Sequence, residues 1–203
     1  MAGIQKSAGQ IREAARASMQ GKTGKCIGVT VLYFVIVMGM NAIPVLGTIA
    51  SIVLSGPLTL GLTMFFLGIV RGESVGIERL FDGFNHVMNA FVTYILVAVF
   101  IILWSLLLII PGLIKGLAYS MTFYILADNP EMKPLQAIEE SRKMMDGNKL
   151  DLFILFLTFI GWYLLGVITL GLGFLWVIPY QNASLAHFYL EVNKGKNSVA
   201  SAA

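Results

Sequence analysis

A chain of 203 residues that is 57% apolar and 12% charged, with a mean hydropathy of +0.81, does not have the composition of a water-soluble domain. Soluble domains carry about 45–50% apolar and about 25% charged residues, and an aqueous fold of this size could not hide so much apolar surface. The formal charge of +3 is small, so its placement matters more than its size, and no nucleic-acid partner is expected.

Residues 1–25 read as a basic cytoplasmic arm. Ile4, Ala8, Ile11, Ala15 and Met19 recur at helical spacing, while Lys6, Arg12, Arg16, Lys22 and Lys25 outnumber the single Glu13. A thin apolar stripe among cations fits an interfacial helix on anionic lipid. It fits equally a frayed tail whose lysines only set topology. About 25 polar residues precede the first apolar run, so no signal peptide is expected. The lone cysteine, Cys26, has no intrachain disulfide partner and is expected to pack at a helix end.

The first span is expected over residues 26–40, reaching toward Val45, and the second over 48–70, kinked where Pro57 removes a backbone donor. Residues 75–85 place Ile77, Leu80, Phe81 and Phe84 at i, i+3, i+4 and i+7, the mark of a short amphipathic interfacial helix. A third span is expected over 87–110, ended by Pro111-Gly112. A fourth follows over 113–126, with Lys115 near its start, free to snorkel. Asp128-Asn129-Pro130 stops it, and Pro134 opens a second amphipathic helix. One face of that helix holds Leu135, Ile138, Ser141 and Met145, flanked by Ala137 and Met144. The other holds Gln136, Glu139, Glu140, Lys143 and Asp146, with Gly147 as the stop. The fifth span is expected over 152–170 and the sixth over 174–192, joined by the turn Leu170-Gly171-Leu172-Gly173. Residues 193–203 read as a flexible tail.

The expected fold is therefore all-α: a polytopic helical membrane bundle of about six transmembrane helices with short amphipathic interfacial helices. It forms one integral-membrane domain over 1–203, with the bundle itself at 26–192. Every charged residue except Lys115 falls in the arm, the 71–82 and 128–151 segments, or the C-terminal end. Six spans then place both termini in the cytoplasm, in agreement with the positive-inside rule, and leave Lys115 alone on the far side. Three hairpins end alike, in Met64-Phe65-Phe66-Leu67, Thr122-Phe123-Tyr124-Ile125 and His187-Phe188-Tyr189-Leu190. The recurring order of span, span and amphipathic helix favours an internal repeat over a chance likeness at an aromatic belt.

No catalytic or cofactor motif is present, and no metal or cofactor is expected. Pro57 and Pro179 interrupt two spans, and Gln181 and Asn182 add a polar patch. Such a set lines a cavity in a transporter, or bonds helix to helix. Asp82 with His86, and His187 with Glu191, are i,i+4 acid–histidine pairs that would offer an acid–base or metal site only if they converged.

At WSLLLIIPGLIKGLAYSMTFYILADNP, QAIEESRKMMDGNKLDLF, FIGWYLLGVITLGLGFLWVIPY and RLFDGF, the chain resembles a bacterial family of integral-membrane proteins of unknown function. In look that family is akin to the membrane domain attached to some glycerophosphodiester phosphodiesterases. The resemblance covers about residues 20–192, and its Pro-Gly-Leu-Ile-Lys and Phe-Ile-Gly-Trp stretches are specific. It implies a six-span protein of the bacterial inner membrane and supplies no catalytic residue. The expected role is a non-enzymatic accessory, scaffold or lipid-interacting protein. Its partners would be membrane lipids and any protein docked on the amphipathic helices. The alternatives are a small transporter, exporter or immunity-type protein, and a lipid-modifying enzyme built on the histidine pairs.

Overall fold

The computed structural model describes residues 6–42 and 46–200. Among them the α-helices are α1 (Ala8–Met19), α2 (Thr23–Asn41), α3 (Leu46–Val70), α4 (Val87–Leu107), α5 (Ile109–Tyr119), α6 (Thr122–Asp128), α7 (Pro134–Met144), α8 (Lys149–Leu157), α9 (Ile160–Ile168) and α10 (Phe174–Ala200). A 3₁₀ helix, Ile77–His86, leads into α4. The protein is an all-α polytopic membrane bundle.

Five stretches are long and apolar enough to cross a bilayer: Thr23–Asn41, Gly47–Val70, Ile77–Leu107, Ile109–Asp128 and Lys149–Ile168. The stretch expected as a sixth span forms the helix α10, 27 residues long, which is not among these five. Gln181, Asn182, Ser184, His187 and Glu191 hold its hydropathy below that of the other five. The helix also continues to Ala200, so residues 193–200 are not the loose tail expected of them; residues 201–203 lie outside the described part.

The N-terminal arm is corrected most. Ser7 and Gln10 cap α1 reciprocally: the Ser7 hydroxyl accepts from the Gln10 N–H at 3.4 Å, and the Gln10 side chain accepts from the Ser7 N–H at 2.9 Å. Ile11, Ala15 and Met19 are buried, and α1 packs on α10, α3 and α8. The apolar stripe is thus spent inside the protein, neither laid on lipid nor frayed. Ile4, expected to extend it, lies outside the described residues. Cys26 is fully buried at the first turn of α2, as expected.

The segment 75–85 differs in kind from the α-helix its periodicity predicts. A three-residue turn brings Leu80 and Gly83 to one inner face, while Phe81 stays 46% exposed. Close approach to α3 explains the choice. A Cβ on Gly61 would overlap the Leu80 carbonyl oxygen, and one on Gly83 would overlap that of Pro57. Backbone lies on backbone here, with Pro57 at the crossing. Farther along, a Cβ on Gly56 would meet the Ala90 oxygen of α4 at 2.5 Å. Small residues at contact points are how helices approach without hydrophobic drive in lipid.

The spans are built in pieces. Leu108 is extended (φ −162°, ψ 144°) and separates α4 from α5. The break therefore precedes Pro111-Gly112, and Pro111 sits in the first turn of α5, where the missing N–H has no helical partner to lose. A second break, at Ser120-Met121, separates α5 from α6 and is stitched by α7. The buried Ser141 hydroxyl accepts from the Met121 N–H at 3.2 Å and donates to the Ala118 carbonyl at 2.8 Å. Helix α7 therefore lies along α4, α5 and α6 with Ala137, Ile138, Ser141 and Met144 inward, and Met145 follows them into the core. Leu135, expected on that face, is 59% exposed. Gly147 stops the segment at φ +83°, and Glu139 pairs with Lys143 at 3.1 Å, both as expected. Replacing Ser141 by Ala leaves a buried N–H and carbonyl unpaired. Thermal unfolding in detergent should show a loss of about 1–3 kcal/mol.

Burial is lopsided along the bundle. The core gathers α1, the C-terminal part of α3, α6, α7 and the middle of α10. The hairpin tips are uncovered: Met38, Leu106, Ile109, Val167, Ile168 and Leu170 are 64–96% exposed.

Candidate functional site

The residues first suspected of chemistry are dispersed. Asp82 pairs with Arg79 at 3.2 Å and His86 with Glu131 at 3.1 Å. His187 meets the Ser18 hydroxyl at 3.2 Å, and Glu191 binds Lys6 at 2.6 Å and Lys194 at 3.7 Å. Each of the four has a partner outside its pair, although Glu191 still acts electrostatically on His187. Among the described residues no three acid, histidine or cysteine groups gather to hold a metal. The polar patch is also committed. The Tyr163 hydroxyl donates to the Gln181 side-chain oxygen, and the Asn182 amide returns to the Ile178 carbonyl at 3.0 Å. Pro57 and Pro179 are buried. The Gln181 contact joins α9 to α10, whereas the Asn182 bond stays within α10.

The three aromatic motifs meet. Phe65, Phe66 and Phe188 are fully buried, and Tyr124 and Tyr189 nearly so. Tyr124 stacks on Tyr189 with centroids 5.5 Å apart, and Phe65 meets Phe66 edge-on at 5.3 Å. An aromatic belt would face headgroups; these rings form the centre. Asp128 ties the junction off, receiving Arg71 Nη2 at 2.8 Å and the Tyr189 hydroxyl at 2.8 Å. Its carboxylate is 18% exposed and the arginine 36%, so the pair is only partly screened. Asp128→Asn should therefore cost about 1–2 kcal/mol, read as a lower melting temperature.

Arginines of α1 close a second aromatic group. The Arg12 guanidinium lies 5.5 Å from the Phe159 ring centre and 5.9 Å from those of Trp162 and Tyr180. Its Nη1 reaches the Thr158 carbonyl at 3.5 Å, where the α8–α9 break leaves an acceptor free, and the Tyr180 hydroxyl donates to the Arg12 carbonyl at 3.1 Å. Arg16 lies over Trp176 at 5.7 Å. This is a structural clamp of cations on rings.

The feature that sequence reasoning missed is at the corner of α5, α7 and α8. Lys115, expected alone on the far side, lines a cleft of about 380 Å³ with Ile114, Ala118, Arg142, Lys143, Asp146 and Lys149. An adjoining cleft of about 440 Å³ shares Lys115 and Arg142 and adds Phe100, Trp104, Tyr119, Leu135, Ile138 and Glu139. Across both, four cations face two carboxylates. Lys149 is 3.8 Å from Asp146, and Lys143 is held by Glu139, whose hydrogen bond and charge raise the lysine pKa. Lys115 and Arg142 have no carboxylate partner among the described residues. Lys115 instead lies 4.4 Å from the Trp104 ring centre. The only linear signal was the run from Arg142 to Lys149; nothing in it pointed to Lys115, which comes from an earlier helix, α5.

Comparison with curated proteins and with solved structures gave no match. A family model does match, over residues 1–115 and 106–196. The chain belongs to the family described as "Protein of unknown function (DUF975)".

Proposed function

We propose that the protein is a non-enzymatic, lipid-interacting accessory protein of the bacterial cytoplasmic membrane, with both termini in the cytoplasm. The uneven burial carries this reading: apolar hairpin tips lie uncovered beside an end that is closely packed and rich in charge. The orientation draws support from the charge distribution, because every charged residue but Lys115 falls in the segments assigned to the cytoplasm, which is what positive-inside sorting produces. Docking of a protein through apolar helix faces has less to recommend it for α1 and α7, which turn most of those faces inward, whereas the 3₁₀ helix leaves Ile77 and Phe81 uncovered. The transporter alternative rested on Gln181 and Asn182, which are bonded to neighbouring groups.

The test is extraction of the full chain from membranes, exchange into a mild detergent, and mass spectrometry of what stays bound. Lipid retained in stoichiometric amount supports the reading. A lipid-free protein, or a stoichiometric protein partner in its place, counts against it.

A further inference from the structure

We propose that the corner cleft binds the phosphate of an anionic phospholipid headgroup, with Lys115 and Arg142 as the recognising pair. The inference rests on the lipid-interacting reading above and names its ligand. Among the described residues most cations are already committed, to Glu191, Asp128, Asp82, Glu139 or Asp146, or to aromatic rings. Arg142 has no such partner and Lys115 has only the Trp104 ring, with no carboxylate, yet they come from different helices, α7 and α5, and line both clefts. Bringing two uncompensated cations to one crevice costs repulsion that a bound anion would relieve. A guanidinium can grip a phosphodiester through two parallel hydrogen bonds while an ammonium adds a point charge.

Lipid is favoured over a free anion by the walls. The clefts are walled by Ile114, which is 46% exposed, by Leu135 at 59% and by Trp104 at 37%. Acyl chains can lie along that face while the phosphate sits at the cations, and an indole flanking the ammonium suits the headgroup boundary. Lys143 and Lys149 add attraction for a net negative headgroup over a zwitterionic one.

The experiment uses full-length protein in detergent, titrated with short-chain phosphatidylglycerol, with phosphatidylcholine of equal chain length, and with inorganic phosphate. Trp104 fluorescence and native mass spectrometry give the bound fraction. Charge-assisted hydrogen bonds are worth about 1.5–3 kcal/mol, so Lys115→Gln and Arg142→Gln should each weaken phosphatidylglycerol binding about tenfold or more. Phosphatidylcholine shares the phosphodiester but has no net charge, so wild type should bind it more weakly and the variants should narrow the difference between the two lipids. Lys115→Arg should restore most of the loss. Because these side chains leave the core untouched, melting temperatures should stay within a degree or two of wild type. Equal binding of both lipids by wild type, or an unchanged preference in the double variant, overturns the proposal while leaving general lipid association intact. Saturable inorganic phosphate binding as tight as that of the lipid would assign the cleft to a free anion instead. Absence of any lipid binding would sink the broader reading as well.

Discussion

Gly61→Ala and Gly83→Ala should each destabilise the protein by about 3 kcal/mol, although alanine is the better helix former. Propensity alone predicts a gain of up to about 1 kcal/mol for glycine to alanine within a helix. Here the added methyl has nowhere to go. It would enter the Leu80 carbonyl oxygen in one case and the Pro57 carbonyl oxygen in the other, and these are backbone atoms that cannot rotate aside. Relief requires the 3₁₀ helix and α3 to separate, which also loosens the Leu80 contact beneath them. Gly116→Ala is the matched control. It lies within α5 with open space around its Cβ position, so propensity should win and stability should rise by about 0.5–1 kcal/mol. Denaturation in detergent, followed by intrinsic fluorescence, gives all three. A Gly61→Ala variant as stable as wild type would refute the backbone contact.

Phe188→Ala should cost about 3 kcal/mol, and Phe188→Leu about 1 kcal/mol. Phe188 is fully buried in the junction where α3, α6 and α10 bring their aromatic motifs together. The range for burying-side truncation of Phe is about 3–5 kcal/mol. The lower end applies in a bundle solvated by lipid, where the dominant loss is dispersion contact around the cavity rather than transfer from water. Phe34→Ala supplies the contrast, because its ring is 40% exposed toward the uncovered face of α2 and should change stability by under about 1 kcal/mol. Equal effects at the two positions would return the aromatic motifs to the status of a surface belt.

Much of this fold could be read from the chain because its signals are local. Pro134 opening α7, Gly147 closing it, the Leu170-Gly171 turn and the burial of Cys26 follow from backbone preference or from a residue's immediate surroundings. The three aromatic motifs were also visible, but a sequence cannot distinguish rings that face headgroups from rings that face each other. Phe81 was misassigned because an apolar residue at i+4 fits an α-helix; only the nearness of Gly61 and Gly83 to opposing backbone selects a three-residue turn. Leu135 sits on the predicted stripe, yet α7 is rolled by Ser141, whose hydroxyl is drawn to the α5–α6 break. Lys115 was the largest miss. Counting charges along a chain leaves it alone at the start of a span on the far side, whereas the short α5 and the returning α7 fold Arg142 and Lys149 back to meet it.

The interrupted spans have a consequence for how the protein is made. Helices α8 and α9 have nine residues each and α5 has eleven, so each is about 14–17 Å long at 1.5 Å per residue. A hydrocarbon layer about 30 Å thick is not crossed by any one of them. Each span becomes insertable only when its second segment has emerged from the ribosome. The α4–α5 and α9–α10 turns carry no charge to hold them back, so each pair of arms enters the bilayer as one hairpin. Ser141 and Arg12 belong to helices outside those arms, and they can seal the breaks only afterwards. Biosynthesis is thereby ordered: apolar hairpins first, then the polar closures that lock them.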